Sequence, residues 1–173
     1  ARLADALEER VALSEILRVI SQSPTDAQPV FDTIVAHALR LCDAPASGVY
    51  RFDGELIHVV ALRNIDPAGA DAVRQAYPRP PTRGGATGRA ILTRDVVYIR
   101  DVGEDPEYQL HSTAAAVGYR SIMSVPMLRG QNAIGAITVN AADVAAFSDN
   151  HVKLLQAFAD QAVIAIENVR LFT

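Results

Sequence analysis

The sequence predicts an α+β fold in which helices cover both faces of a central antiparallel sheet. Two hairpin patterns support this fold class. Residues 47–63, SGVYRFDGELIHVVALR, place the tight-turn pair Asp53-Gly54 between two alternating runs. Residues 119–140, YRSIMSVPMLRGQNAIGAITVN, place a short Gly-containing loop at 129–132 between two runs that are apolar on both alternating faces. Such strands are buried on both sides, so the sheet must be covered twice.

Two helical patterns precede the first hairpin. Residues 1–22 carry a narrow apolar stripe that includes Leu13 and Leu17, which is typical of a helix packed on another helix. Ser23-Pro24 ends this helix, because the residue before proline avoids helical geometry. A second amphipathic pattern covers about 26–42. The predicted organisation is an N-terminal signalling or dimerisation helix at 1–22, a core at 23–148 and a C-terminal helix at 149–173.

The middle of the core has an irregular pattern. A weak helical pattern at 67–77 leads into residues 77–102, which hold three prolines, three glycines and five arginines. This composition predicts loops around a short helix and a short strand. Asp105-Pro106 is typical of a helix start, so we expect a helix from there to about Val117, ending at Gly118.

The final helix, predicted from Ser148 as its N-cap, has two apolar faces. One repeats with heptad spacing and the other includes Ala159 and Ile166. The sheet would bury one face and a partner subunit the other, which predicts a homodimer through the terminal helices. The predicted interface residues are Leu13, Leu17, Leu155, Phe158, Ala162, Ala165 and Val169.

Composition limits the class of protein. At 173 residues, 50% of them hydrophobic, the chain is sized for one domain with a substantial core. A formal charge of -4 argues against nucleic acid as a partner. No run reaches the ~20 apolar residues of a spanning helix and the start lacks a signal-peptide pattern, so we expect a cytoplasmic protein without membrane insertion. The single cysteine, Cys42, excludes an internal disulfide and is expected to be buried.

Several segments of the chain resemble the GAF domain family of bacterial sensors. They are LCDAPASGVYRFDGELIHVVALR, GGATGRAILTRDVVYIRDV, GYRSIMSVPMLRGQNAIGAITV and the closing FSDNHVKLLQAFADQAVIAIENVRLF, which is similar to a helix that leads to the transmitter in sensor histidine kinases. The resemblance implies a GAF-like, PAS-like sheet of about six strands, with terminal helices on one face and a small-molecule pocket closed by short helices and loops on the other. It also implies a linked output domain beyond this chain, whose pattern begins without Met and ends on an unfinished helix.

An anion site is the first candidate for ligand chemistry. Arg79, Arg83 and Arg89 surround a glycine-rich segment ahead of a short helix, and glycine amides at a helix start bind anions. No Lys-Ser/Thr follows the glycines, so the segment is not a P-loop. Solvated loop arginines are the competing interpretation, and the Asn-Lys-Phe-Asp-Glu signature of cyclic-nucleotide GAF domains is absent.

Other cofactors were weighed in the same way. The acidic residues of 101–107 with His111 resemble a metal site, but their spacing fits helix capping better, so no metal is expected. Haem would need an axial histidine such as His58 or His111. Bilin attachment needs a pocket cysteine, and Cys42 lies on the second helix. The unknown ligand is therefore left open to haem or a nucleotide, with bilin disfavoured.

Catalysis has no support in the sequence. Ser121 and Ser124 lack a nucleophile elbow, and one cysteine does not suffice for the disulfide cycle of GAF-fold methionine sulfoxide reductases. Two hypotheses follow: a ligand-sensing regulatory domain, belonging to a sensor histidine kinase, or a ligand-free dimerisation and signal-relay module. For the first, the predicted pocket residues are Tyr50, Tyr98, Tyr108, His111, Ser121, Met123 and Thr138.

Overall fold

A computed structural model describes residues 7, 8, 10–12, 14, 15, 18 and 27–171, with backbone alone at 169–171. The described residues before position 19 are helical, as the pattern at 1–22 predicts. Leu13, Leu17 and the side chain of Val169 lie outside the described residues, so their assignment to a dimer interface stays a prediction.

The centre of the fold is an antiparallel sheet with the strand order β2-β1-β5-β4-β3. Five strands are described where the family resemblance implies about six. Both predicted hairpins are confirmed, and each joins neighbouring strands of this sheet. The strands are β1 (Ala46–Phe52), β2 (Ile57–Arg63), β3 (Val97–Ile99), β4 (Ser121–Arg129) and β5 (Asn132–Ala141).

Five helices are packed on this sheet. Asp105-Pro106, expected to begin the fourth of them, lies instead in a loop, and the helix starts at His111. The reason is local, because both oxygens of the Asp105 carboxylate accept hydrogen bonds from the Arg89 guanidinium. The helices are α1 (Gln28–Leu41), α2 (Pro67–Ala76), α3 (Ala86–Thr93), α4 (His111–Val117) and α5 (Asp149–Leu171).

The larger core lies between one sheet face and the two long helices α1 and α5. Val49, Ile137 and Val139 point into it from the strands, and all three are fully buried. Their spacing of two along each strand puts them on one face. Cys42 belongs to the same core, as its sequence context predicts. At the start of α5, the Ser148 hydroxyl accepts the backbone N–H of His151, which confirms the predicted N-cap.

The shorter helices α2, α3 and α4 cover the opposite sheet face, where two smaller apolar clusters lie. The sheet is therefore covered twice, as its doubly apolar strands predict. Among the described residues, no helix combines the length and the apolar character that crossing a bilayer requires.

Candidate functional site

The face covered by the short helices holds a small enclosed cavity. Its volume is about 20 Å³, which is room for about one water molecule. The strands form its floor, and α2, α3, α4 and the loops between them form its walls. It is lined by Gly48, Tyr50, Ile65, Val73, Tyr77, Ala86, Thr87, Tyr108, Leu110, Thr113, Tyr119, Ile122, Thr138 and Asn140.

Strand alternation explains which floor residues reach the cavity. Gly48 and Tyr50 are two apart on β1, and Thr138 lies opposite Gly48 on β5. A Cβ on Gly48 would lie 3.1 Å from the Tyr50 ring and 3.2 Å from its hydroxyl oxygen. The glycine therefore makes room for the Tyr50 side chain on the floor.

Four of the five tyrosines in the chain border the cavity. The rings of Tyr50 and Tyr77 pack at a centroid separation of 5.1 Å, and the hydroxyls of Tyr108 and Tyr119 hydrogen-bond to each other. Burial raises the pKa of each of these four phenols above its ordinary value. They are therefore neutral hydroxyl groups at physiological pH.

A chain of smaller hydroxyls runs along the floor. The Thr138 hydroxyl donates to Ser124 at 2.8 Å and is bonded to the Thr87 hydroxyl at 2.8 Å. A hydrogen bond between Tyr77 and Thr87 partly offsets the effect of burial on the Tyr77 pKa. This chain links α3 to β5 and β4 through groups that each donate and accept.

None of the residues lining the cavity carries a charge. Moving an ionised group into such a site without a charged partner costs much free energy, whereas a neutral polar group can exchange hydrogen bonds with the hydroxyls. The lining therefore favours an uncharged, hydrogen-bonding occupant.

The predicted pocket residues divide into two groups. Tyr50, Tyr108 and Thr138 line the cavity. His111 is exposed at the start of α4, with its ring edge against Tyr108 at 5.3 Å. It does not border the cavity.

Tyr98, Ser121 and Met123 lie on the opposite face of the sheet, so their placement in the pocket is corrected. Met123 is fully buried in the core with α1 and α5, and Tyr98 pairs with it across the strands. The Tyr98 hydroxyl accepts the backbone N–H of Phe147 at 2.9 Å. Ser121 shares the face of Met123 because the two are separated by one residue on β4.

The proposed anion contacts are occupied by protein groups. Arg89 is 7% exposed and makes a bidentate ion pair with Asp105, while Arg83 makes one with Glu107 at 2.5 and 2.9 Å. Arg79 bridges its backbone to Ile57 at the edge of the sheet. In this structure Arg83 and Arg89 thus serve to hold loops together.

The acidic residues around 101–107 are used in the same way. Besides the two pairs above, Asp101 accepts a hydrogen bond from Arg120 at 2.8 Å. Within the described part of the chain, no cluster of histidine, cysteine and acidic side chains has the arrangement of a metal site.

The predicted dimer contacts on α5 require a correction. Leu155, Phe158 and Ala162 are fully buried and Ala165 nearly so, all within the core of the single chain. The second apolar face of α5, with Ala159 and Ile166, is buried there too. The sheet and α1 together cover both faces, so these residues are not available to a partner.

Four lining residues were missed from the sequence: Tyr77, Thr87, Tyr119 and Asn140. Asn140 follows Thr138 by two on β5, so strand alternation was a usable signal for it. The positions of Tyr77, Thr87 and Tyr119 depend on how loops fold back over the sheet, which no local period encodes.

A wider groove, with a volume of about 660 Å³, lies between the tips of the two hairpins and the end of α5. It opens where β1 and β5 diverge, beyond the last paired residues Arg51 and Gly135. Its floor includes Phe31, Met127 and Ile166. Apolar core residues and paired charges, such as Arg129 with Glu167, border it without a converging set of polar groups.

Comparison with protein families gives one match over most of the chain. Residues 24–167 match the family described as GAF domain. No curated protein matches the chain significantly.

Solved structures with the same fold cover nearly the whole chain. The GAF domain/HD domain protein from Geobacter sulfurreducens has a TM-score of 0.74 and 18% identity, covering 86% of this chain and 97% of that one. Free methionine-R-sulfoxide reductase from Neisseria meningitidis, solved with its substrate, has a TM-score of 0.75 and 20% identity, covering 98% and 94%. A domain attributed to a two-component sensor histidine kinase of Sinorhizobium meliloti has a TM-score of 0.66 and 15% identity, covering 84% and 93%. At these identities the likeness is one of fold.

Proposed function

The chain belongs to the GAF domain family, and from this premise we propose that it is the regulatory, small-molecule-sensing module of a signalling protein. The observation that supports this most directly is the enclosed cavity with its hydroxyl lining. A ligand site is a concave space with a few converging polar groups, and this cavity has that character on a small scale.

The expected ligand is a small, uncharged molecule that both donates and accepts hydrogen bonds. Tyr50, Tyr77 and Thr138 offer neutral hydroxyls, and Asn140 adds a side-chain amide. The closed cavity holds about one water, so binding requires the covering helices and loops to move outward. A ligand that binds the open form better shifts the population toward it.

The proposed route to the output runs through β5. Thr138 faces the cavity, while its neighbours Ile137 and Val139 are packed in the core that contains α5. A movement of β5 would therefore change the packing of α5, the helix from which a linked output domain would follow. We propose a histidine kinase as that domain, supported by the closing-helix pattern and by the kinase-derived structure with the same fold.

We do not propose a catalytic role for this domain. Cys42 is 1% exposed, and burial raises the pKa of its thiol to about 12, which is the opposite of a reactive thiolate. A reductase cycle through an internal disulfide needs two thiols, and the chain has one.

A ligand-free relay module is the alternative, and the small cavity volume favours it. In this version the cavity stays closed and the chain acts as a homodimer through its terminal helices. With the α5 core face occupied, the exposed apolar residues of those helices are the remaining candidates for contact with a second copy. Leu7 is 52% exposed, Val11 55% and Ile164 56%.

A pair of tyrosine variants tests the sensing proposal. Native mass spectrometry of the freshly purified chain, followed by a thermal-shift screen of small neutral metabolites, should identify a bound species. Tyr50→Phe should weaken its binding because a cavity hydroxyl is lost, whereas Tyr98→Phe makes the same change on the other sheet face and should leave binding intact. No bound species and no thermal shift would favour the relay alternative.

A further inference from the structure

We propose that residues 105–110, called the strap, gate the cavity and that Arg83 and Arg89 hold the strap closed. The proposal rests on the proposed function in taking the cavity as the ligand site, and it adds how access to that site is controlled. Three kinds of contact carry it: two ion pairs, one backbone hydrogen bond and two side chains inserted into the cavity wall.

The strap is fastened to the start of α3 on both sides of Tyr108. Before it, Asp105 receives two hydrogen bonds from Arg89 at 3.0 and 3.1 Å, and Glu107 receives two from Arg83. After it, the Gln109 backbone N–H donates to the Gly84 carbonyl at 2.8 Å. Arg89 also donates twice to the Arg83 carbonyl, so one guanidinium holds both segments.

Glycines permit this close approach. A Cβ on Gly84 would lie 2.6 Å from the Gln109 side chain, and one on Gly85 would lie 2.9 Å from Leu110. The glycine-rich segment noted in the sequence therefore receives the strap.

The strap closes the cavity with Tyr108 and Leu110. Both line it, and Tyr108 is 4% exposed with its hydroxyl bonded to Tyr119. The strap contains no helix or strand, so the contacts to Arg83, Arg89 and Gly84 replace regular backbone pairing. Segments with few backbone hydrogen bonds open at low free energy, and breaking the ion pairs would let Tyr108 and Leu110 withdraw together.

Hydrogen exchange measured by mass spectrometry on the ligand-free chain tests the gate. In the double variant D105N/E107Q, peptides covering 105–110 should exchange at least about tenfold faster than in the wild type, because charge-assisted hydrogen bonds are lost. Exchange in α1 and α5 should not change. Glu104→Gln, the same chemical change at an exposed position just before the strap, is the matched control.

Tyrosine fluorescence gives a second readout. The chain has no tryptophan, and four of its five tyrosines border the cavity. Acrylamide, a small neutral quencher, should therefore quench the double variant more strongly than Glu104→Gln. If D105N/E107Q fails to fold, Glu107→Gln alone, which alters an exposed side chain, takes its place in both experiments.

Two outcomes would overturn the gate: strap exchange and quenching equal to those of Glu104→Gln, or faster exchange spread equally over α1 and α5. The first would mean that the ion pairs do not hold the strap, and the second that they stabilise the whole fold. Neither readout needs a ligand. A failed ligand screen would thus count against sensing and leave the gate standing, whereas equal ligand access in wild type and variant would count against the gate.

Discussion

Gly135 is the residue at which the sheet tolerates least change. A Cβ there would lie 2.2 Å from the Tyr50 carbonyl oxygen, and a backbone atom between two paired strands has no space to retreat. Gly135→Ala should lower the free energy of unfolding by about 3 kcal/mol or more. Urea denaturation measures this.

Gly103→Ala is the control for that change. Its Cβ would meet the Asp101 side chain at 3.3 Å, a contact that a small rotation can relieve. We expect a cost of about 1 kcal/mol or less. Equal losses in the two variants would show that the contact at Tyr50 does not decide the effect.

The carboxylates of the strap make stability depend on acid pH. The hydrogen bond from Arg89 is the largest cause of the lowered pKa of Asp105, and that from Arg83 is the largest for Glu107. Their contribution to stability is complete above the unfolded pKa values, about 4, and is lost as pH falls through the lower folded values.

From pH 5 to pH 2 the wild type should therefore lose more stability than D105N/E107Q. Urea denaturation across this range tests it, with the exposed Asp143→Asn as the control for removing an acidic charge. Parallel curves for wild type and double variant would exclude these two groups as a source of the acid sensitivity.

At this scale the sequence located a pocket residue wherever the strand face could be assigned. Tyr50 and Thr138 were placed correctly in the cavity wall. Ser121 and Met123 were not, because β4 is apolar on both faces and its alternation does not say which face meets the short helices.

Among the elements, α2 depends most clearly on its cap. The Asp66 side chain accepts the Gly69 backbone N–H at 2.8 Å, and Pro67 follows at the first helical position. Asp66→Ala should cost about 1 kcal/mol in the free energy of unfolding. Chemical denaturation measures it, and Asp71→Ala, at an exposed position inside the same helix, should cost less.

The elements themselves were largely predictable. Asp53-Gly54 and the glycine of the second loop marked both hairpins, and Gly118 ends α4 in the left-handed conformation, with a φ of 95°. The start of α4 was wrong because Asp105 binds Arg89, 16 residues away in sequence, and no local pattern encodes that contact.

For the whole molecule, the two apolar faces of α5 led to a specific error. The pattern correctly required two covering surfaces, but α1 and the sheet supply both within one chain. Contact between copies therefore has to use residues that the single chain leaves exposed, and the terminal helices offer Val11 and Ile164.

This makes association and folding separable by mutation. Val11→Glu with Ile164→Glu should convert a homodimer to monomers, as measured by light scattering, while leaving the melting temperature of the monomer nearly unchanged. Phe158→Ala should instead cost about 3–5 kcal/mol of folding stability, because a fully buried ring leaves a cavity in the core. Gln156→Glu, exposed on the same helix, is the control for added charge. A double variant that stays dimeric would place the contact elsewhere, and a wild type that is monomeric at all concentrations would remove the dimer from both functional proposals.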